Sequence, residues 1–158
     1  FRCIREGRRA FARSRAETPM TLVADSGALY ALYDADDAHH AEVRLVVESE
    51  RGAIIIPAVI LAELDYLLRE FLGVDAELDF LDNIISGAFT LEWLISDDLE
   101  RCRELIASYR DLDLGLADSA VVATAERLGI QRILTVDERD FRAVRPRKGS
   151  FVLLPADN

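Results

Sequence analysis

Apolar residues fall into two rhythms along this chain. Short unbroken runs occur at Thr21-Leu22-Val23-Ala24, Ala53-Ile54-Ile55-Ile56, Phe89 to Leu94, Arg132 to Val136 and Phe151 to Leu154, each of a length that suits a buried strand. Between them the spacing turns helical. Ala28, Leu29 and Leu32 mark a short helix opened by Ser26-Gly27, and Val43, Val46 and Val47 mark a second. Ile60, Leu61, Leu64, Leu67, Leu68 and Phe71 predict a strongly amphipathic third helix after Pro57, and residues 75–86 continue as a helix through Leu78, Leu81, Ile84 and Ile85. Ser96 to Tyr109 reads as another, capped by Ser96, with Asp97 and Asp98 as partners of the helix dipole and Leu99, Cys102, Leu105 and Ile106 facing inward. The last long one carries Val121, Ala125 and Leu128, with Glu126 and Arg127 on its polar side and Gly129 as its stop. Strands alternating with helices predict an α/β fold, a three-layer α/β/α sandwich around a central parallel sheet of four to five strands.

Against that pattern four carboxylates take recurring places. Asp25 follows the first strand and Asp137 the fourth; Glu63 sits early in the helix after the second, and Asp118 in the first turn of the helix after Leu114-Gly115-Leu116-Ala117. Glu63 lies about 60° around its helix from Ile60, so it is expected half-buried at the edge of the apolar face. An acid in a first turn ordinarily caps backbone N–H groups, and that reading serves Asp118 taken alone. In a parallel sheet, however, the site lies beyond the carboxyl ends of the strands, and all four acids are expected to line that one crevice. His39 and His40 are adjacent, about 100° apart on a helix, and read as surface or capping residues rather than a chelating pair.

Composition narrows the class. The 158 residues suit one domain, 51% are hydrophobic, and no apolar run approaches the ~20 residues that span a bilayer, so a soluble protein is expected. Cys3 and Cys102 are isolated thiols without metal-ligand spacing, which fits a reducing, cytoplasmic setting. The net charge of −10 divides unevenly: residues 1–19 hold six Arg against two Glu, leaving −14 on the rest. That Arg-rich arm is expected to lie outside the domain, which begins at Met20 and runs to 158; a sharper alternative sets Arg8 or Arg9 over an acidic pocket as an inhibitor.

Four carboxylates crowded at one end of a sheet repel one another and resist burial. A divalent cation resolves the conflict. Oxygen-only donors without His or Cys select Mg²⁺ or Mn²⁺ over zinc, and such ions activate water for phosphodiester hydrolysis.

Asp25-Ser26, the Pro57-to-Glu63 stretch, Leu114-Gly115-Leu116-Ala117-Asp118-Ser119-Ala120 and Thr135-Val136-Asp137-Glu138-Arg139-Asp140-Phe141 resemble the ordered motifs of the PIN domain. They are most similar in pattern to the VapC-type ribonuclease toxins of bacterial toxin–antitoxin pairs. The resemblance covers residues 20 to about 155 and departs from the commoner pattern only in Ser26, where Thr is usual. It implies a metal-dependent endoribonuclease in which Asp25, Glu63, Asp118 and Asp137 bind Mg²⁺ or Mn²⁺. Ser26, Ser119 and Thr135, beside the acids, would orient carboxylates or metal waters. Asp140 competes for the fourth position; Asp137 is favoured because it immediately follows the strand. A VapB-like antitoxin and a homodimer are further implied.

RNA binding has to be reconciled with an acidic chain. Between Arg139 and Lys148 lie five cations and one acid, and Arg139, Arg142 and Arg145 are expected to contact phosphate beside the metal pocket. Trp93 and Tyr109 read as packing residues rather than stacking platforms. Two other functions fit the sequence: a non-catalytic PIN-fold binding module, and a PIN nuclease with a housekeeping role in RNA processing. A phosphoacceptor receiver domain is disfavoured, since Asp25 has no adjacent acidic partner and no strand-end lysine is plain.

Overall fold

The computed structural model describes residues 20–112 and 114–158. The arm of residues 1–19, and with it Cys3, Arg8 and Arg9, lies outside the described residues. Five strands, β1 (Leu22–Ala24), β2 (Ile54–Pro57), β3 (Thr90–Glu92), β4 (Arg132–Leu134) and β5 (Val152–Leu154), form one parallel sheet in the order β3-β2-β1-β4-β5. Leu22 stands opposite Ile54, and Ala24 opposite Leu134. The chain builds outward from β1 to β2 and β3, then resumes on the other side of β1 with β4 and β5. The reversal makes β1 and β4 neighbours and places a switch point at their carboxyl ends.

Both faces of the sheet are covered, which is why its strands are continuous apolar runs rather than alternating ones. Leu22, Ala24, Ile54, Ile56, Leu134 and Leu154 point to one face. There they meet α1 (Ser26–Tyr33), α2 (His40–Ser49), α3 (Leu61–Leu67) and α4 (Val74–Ile85). Val23, Ile55, Ile133 and Leu153 point to the other, against α5 (Ser96–Ser108), α6 (Leu116–Leu128) and α7 (Glu138–Ala143). The small residues Ala120, Ala123 and Ala125 bury α6 closely between sheet and α5. Gly129, at φ 68°, ends α6 in the left-handed conformation that costs a glycine little.

Several details depart from the periodicity. The amphipathic stretch after Pro57 is a helix only to Leu67, then widens into a π-helical turn over Leu68–Leu72 that ends at Gly73. Ile60, Leu64 and Leu68 are buried as expected, but Phe71 is exposed. On α4 the buried side chains are Phe80 and Asn83, while Val74, Leu78, Leu81 and Ile85 face outward. On α5 Cys102 and Leu105 face inward, whereas Leu99 and Ile106 do not. Hydrophobic spacing marks a face without saying what lies opposite it. Ile95, not Ser96, holds the cap position of α5, and its N–H donates to Asp98 Oδ2 at 3.0 Å. Trp93 is 71% exposed, so it is not a packing residue.

Candidate active site

Asp25, first residue after β1, is buried and serves as the N-cap of α1. Its Oδ1 accepts the Ser26 N–H at 2.7 Å and its Oδ2 accepts the Thr135 hydroxyl at 3.1 Å. Its own N–H donates to the Leu134 carbonyl at 2.9 Å, so the carboxylate is anchored on both central strands. Gly27 sits at the tight entrance to α1. A Cβ there would stand 3.3 Å from Val136 Cγ2 and 3.6 Å from Asp25 Oδ2. Periodicity gave no reason to single this glycine out; the close approach of α1 to the end of β4 leaves little room for a side chain there.

The remaining acids are set by short local devices. Asp118 is the third residue of α6, and its Oδ2 accepts the Gly115 N–H at 3.0 Å, a capping contact that fixes the side chain toward its own helix start. Glu63 occupies the first turn of α3 and is exposed rather than half-buried; Ile60 belongs to the preceding 3-10 turn of Ala58–Ile60, so the α-helical angle from Ile60 does not hold. The Ser26 hydroxyl reaches it nonetheless, donating to Oε1 at 3.0 Å. Asp137 caps α7, accepting the Asp140 N–H at 3.4 Å, and its own N–H donates to Thr135 Oγ1 at 3.0 Å. One buried hydroxyl, that of Thr135, therefore connects Asp25 and Asp137. Ser119 behaves differently: its hydroxyl is buried and has no hydrogen-bond partner among the described residues.

Electrostatics brings the four together. Burial pushes the Asp25 carboxyl up to about 6, helped by the charges of Asp118 and Glu63. Asp118 is also raised, first by burial and then by the charges of Glu63 and Asp137. No ion pair among the described residues uses any of these four carboxylates. Asp140, by contrast, is buried against Arg139 at 2.9 Å. The donors are hard oxygens with no His or Cys in the pairing, a set that suits Mg²⁺ or Mn²⁺. Among the described residues no three acidic, His or Cys side chains yet converge as a closed metal cage. Asp25 and Asp118 are held by the fold; Glu63 and Asp137 are the exposed members with room to turn.

The cationic stretch is less free than its sequence suggests. Arg139 is engaged with Asp140, and Arg142 with Glu138 at 2.8 Å and Asp157 at 2.7 Å. Arg147 pairs with Glu104 and donates its backbone N–H to Glu126, which places it at the Gly129 end of α6, away from Asp118. Arg145 donates its N–H to the Tyr109 hydroxyl. The histidines stand apart from the acids: His40 Nδ1 lies 2.9 Å from the Ala31 carbonyl, and His39 is an exposed residue at the start of α2.

The sequence matches the PIN domain family over residues 22–145. Among curated proteins it is 36% identical over 135 residues to Ribonuclease VapC26 of Mycobacterium tuberculosis, covering 85% of this chain and all of that one. Two solved structures share the fold. VapC20 of M. tuberculosis, described as a sarcin-ricin loop cleaving toxin, superposes with a TM-score of 0.70 at 22% identity, over 79% of this chain and 99% of that one. VapBC2 from Rickettsia felis, solved bound to a DNA fragment from its promoter, gives 0.61 at 14% identity, over 85% and 97%. No helix among the described residues is long and apolar enough to cross a membrane. With four motif acids in order on a five-stranded parallel sheet and a ribonuclease relative spanning most of its length, the chain belongs to the PIN-domain family of VapC ribonucleases.

Proposed function

We propose that this chain is the toxin of a VapBC-type pair, an endoribonuclease that hydrolyses RNA phosphodiester bonds with Mg²⁺ or Mn²⁺ held by Asp25, Glu63, Asp118 and Asp137. The observation that carries the reading is the unneutralised charge on Asp25 and Asp118. A fold that spends backbone N–H groups and buried hydroxyls on orienting two carboxylates, yet pairs neither with a cation, is organised for a ligand that brings positive charge. A bound divalent ion would supply water activation and neutralise charge on the phosphate.

The chain's own groups do the positioning. Thr135 and the Ser26 N–H hold both oxygens of Asp25, and Gly115 holds Asp118, so these two acids need no reorganisation when an ion arrives. The Ser26 hydroxyl draws Glu63 inward, and Thr135 ties the backbone of Asp137 to the same centre. Ser119, buried and unpaired, contributes to α6 packing in this reading unless the helix start shifts. Arg142 would meet RNA by exchanging its exposed pairs with Glu138 and Asp157 for phosphate, which costs little at solvated pairs, whereas Arg139 would have to leave the buried Asp140; the contact of Arg145 runs through its backbone N–H.

A VapB-like antitoxin, RNA and a second copy of the chain are its partners in this reading, and the cytoplasm its setting. The test is cleavage of a mixed RNA pool with Mg²⁺, with Mn²⁺ and with EDTA, beside an Asp118→Asn variant. Metal-dependent cutting that vanishes in the variant supports the nuclease. Folded protein that binds the ion and leaves every RNA intact would instead be a non-catalytic binding module.

A further inference from the structure

Two cavities open beside the helices of the α6 and α7 face, and Pro146 and Phe151 belong to both. The first, about 580 Å³ in volume, lies at the Gly129 end of α6. Its guanidinium groups are already answered: Arg101 by Glu126, Arg127 by Asp98 and Arg147 by Glu104. The second, about 520 Å³, is a groove between α7 and the edge strand β5, and its charge is of one sign. Arg142 and Arg145 line it and no acid does, on a chain whose formal charge is −10.

Arg145 is exposed, and its one hydrogen bond, to the Tyr109 hydroxyl at 3.0 Å, is made by the backbone N–H. That bond holds the chain at the rim of the groove and leaves the guanidinium without a partner among the described residues. The walls are apolar and partly aromatic. Phe141 and Leu153 are buried, and the ring of Phe151 is half-buried, packed on the core and lining the groove. Free positive charge beside an aromatic wall is the chemistry that holds an unpaired nucleotide, with phosphate on the guanidinium and base against the ring. The groove is also in line with the acids. Asp137 caps α7, and Arg142 follows it by five residues, about 7.5 Å of helical rise, with Arg145 three residues further on.

We propose that the α7–β5 groove is a subsite for an unpaired nucleotide of the RNA, one that flanks the scissile phosphate rather than carrying it: Arg145 takes its phosphate and Phe151 its base. The proposal rests on the ribonuclease reading and adds the course of the strand once it leaves the carboxylates. The strand follows α7 past Arg142, whose exposed pairs with Glu138 and Asp157 give way to phosphate, and one base turns into the groove. A paired base is stacked between its neighbours and offers no face to a ring, so the RNA has to be single-stranded at this point. The subsite thereby selects loops and ends over duplex without reading the acids at all.

The test reads binding in EDTA, so it can fail while metal-dependent cleavage stands, or the reverse. A short fluorescein-labelled single-stranded RNA is titrated with the full chain at a series of salt concentrations, and its anisotropy gives Kd. Arg145→Gln should flatten the slope of log Kd against log salt by about 0.7, the share of one phosphate on a single strand. Phe151→Leu keeps an apolar side chain on the core and removes the ring; it should weaken binding about tenfold at every salt concentration and leave the slope unchanged. The same sequence annealed as a duplex should not distinguish Phe151→Leu from wild type. Circular dichroism checks that both variants are folded. A wild type that does not bind the single strand, an unchanged slope in Arg145→Gln, an unchanged affinity in Phe151→Leu, or a duplex as sensitive to that variant as the single strand would each overturn the subsite.

Discussion

Asp25 and Glu50 are buried to nearly the same degree at opposite ends of the sheet, and the chain treats them differently. Glu50 accepts the Gly52 N–H at 2.7 Å and holds Arg132 at 2.5 Å, and the same guanidinium donates to the Met20 carbonyl. Nearby at that end, Asp98 is paired with Arg127 at 2.9 Å and Glu126 with Arg101 at 2.8 Å. Asp25 and Asp118 receive hydrogen bonds of similar quality but no cation. Where this chain needs a buried acid for cohesion, it supplies an arginine. The contrast therefore separates carboxylates paired with arginine from carboxylates left without a cation, the second group being the one we propose to hold an ion.

The largest effect expected from that contrast is on chemistry: Asp118→Asn should lower metal-dependent RNA cleavage by on the order of 10³-fold with the fold retained, measured as initial rate on a fixed RNA. At the opposite end Arg132→Met leaves Glu50 buried without its partner and should cost about 3 kcal/mol in urea unfolding, without changing the cleavage rate of the folded fraction. Next comes a pH effect confined to the carboxylate end. The folded Asp25 carboxyl titrates near 6, above its ordinary 3.8, so the native state binds more protons than the unfolded chain between those values. Stability in EDTA should consequently fall as pH rises through that window, by roughly 2–3 kcal/mol, and Asp118→Asn or added Mg²⁺ should flatten the fall. The smallest effect is that of Thr135→Val, which removes the hydroxyl shared by Asp25 and Asp137. It should cost about 1 kcal/mol of stability and raise the Mg²⁺ concentration needed for half-maximal cleavage more than it lowers the maximal rate.

Much of this was legible in the sequence because burial on both faces writes strands as plain apolar runs, and because the acids follow those runs directly. Asp25, Asp118 and Asp137 are placed by elements whose ends are marked by a strand or a Gly. Glu63 was harder. Its expected place was measured from Ile60, which lies in a 3-10 turn that no residue between Pro57 and Ile60 announces. The outward face of α4 was illegible for a different reason, since Val74, Leu78, Leu81 and Ile85 carry the same period as a buried stripe and only the position of Phe80 tells which side is inside. The freedom of the arginines was overestimated because Arg142 finds Asp157, a residue beyond the next strand, and Arg147 finds Glu104 on α5.

Gly27 carries a consequence for how this sequence can vary. Its missing side chain and Val136 share one small volume, with 3.3 Å between them once a methyl is drawn in. Substitution at either position is thereby conditioned on the other: Gly27→Ala should be damaging beside Val136 and tolerated beside Val136→Ala. Among natural descendants of this sequence the two positions should trade bulk, one growing only where the other shrinks, and so record by covariation a contact that neither residue reveals alone.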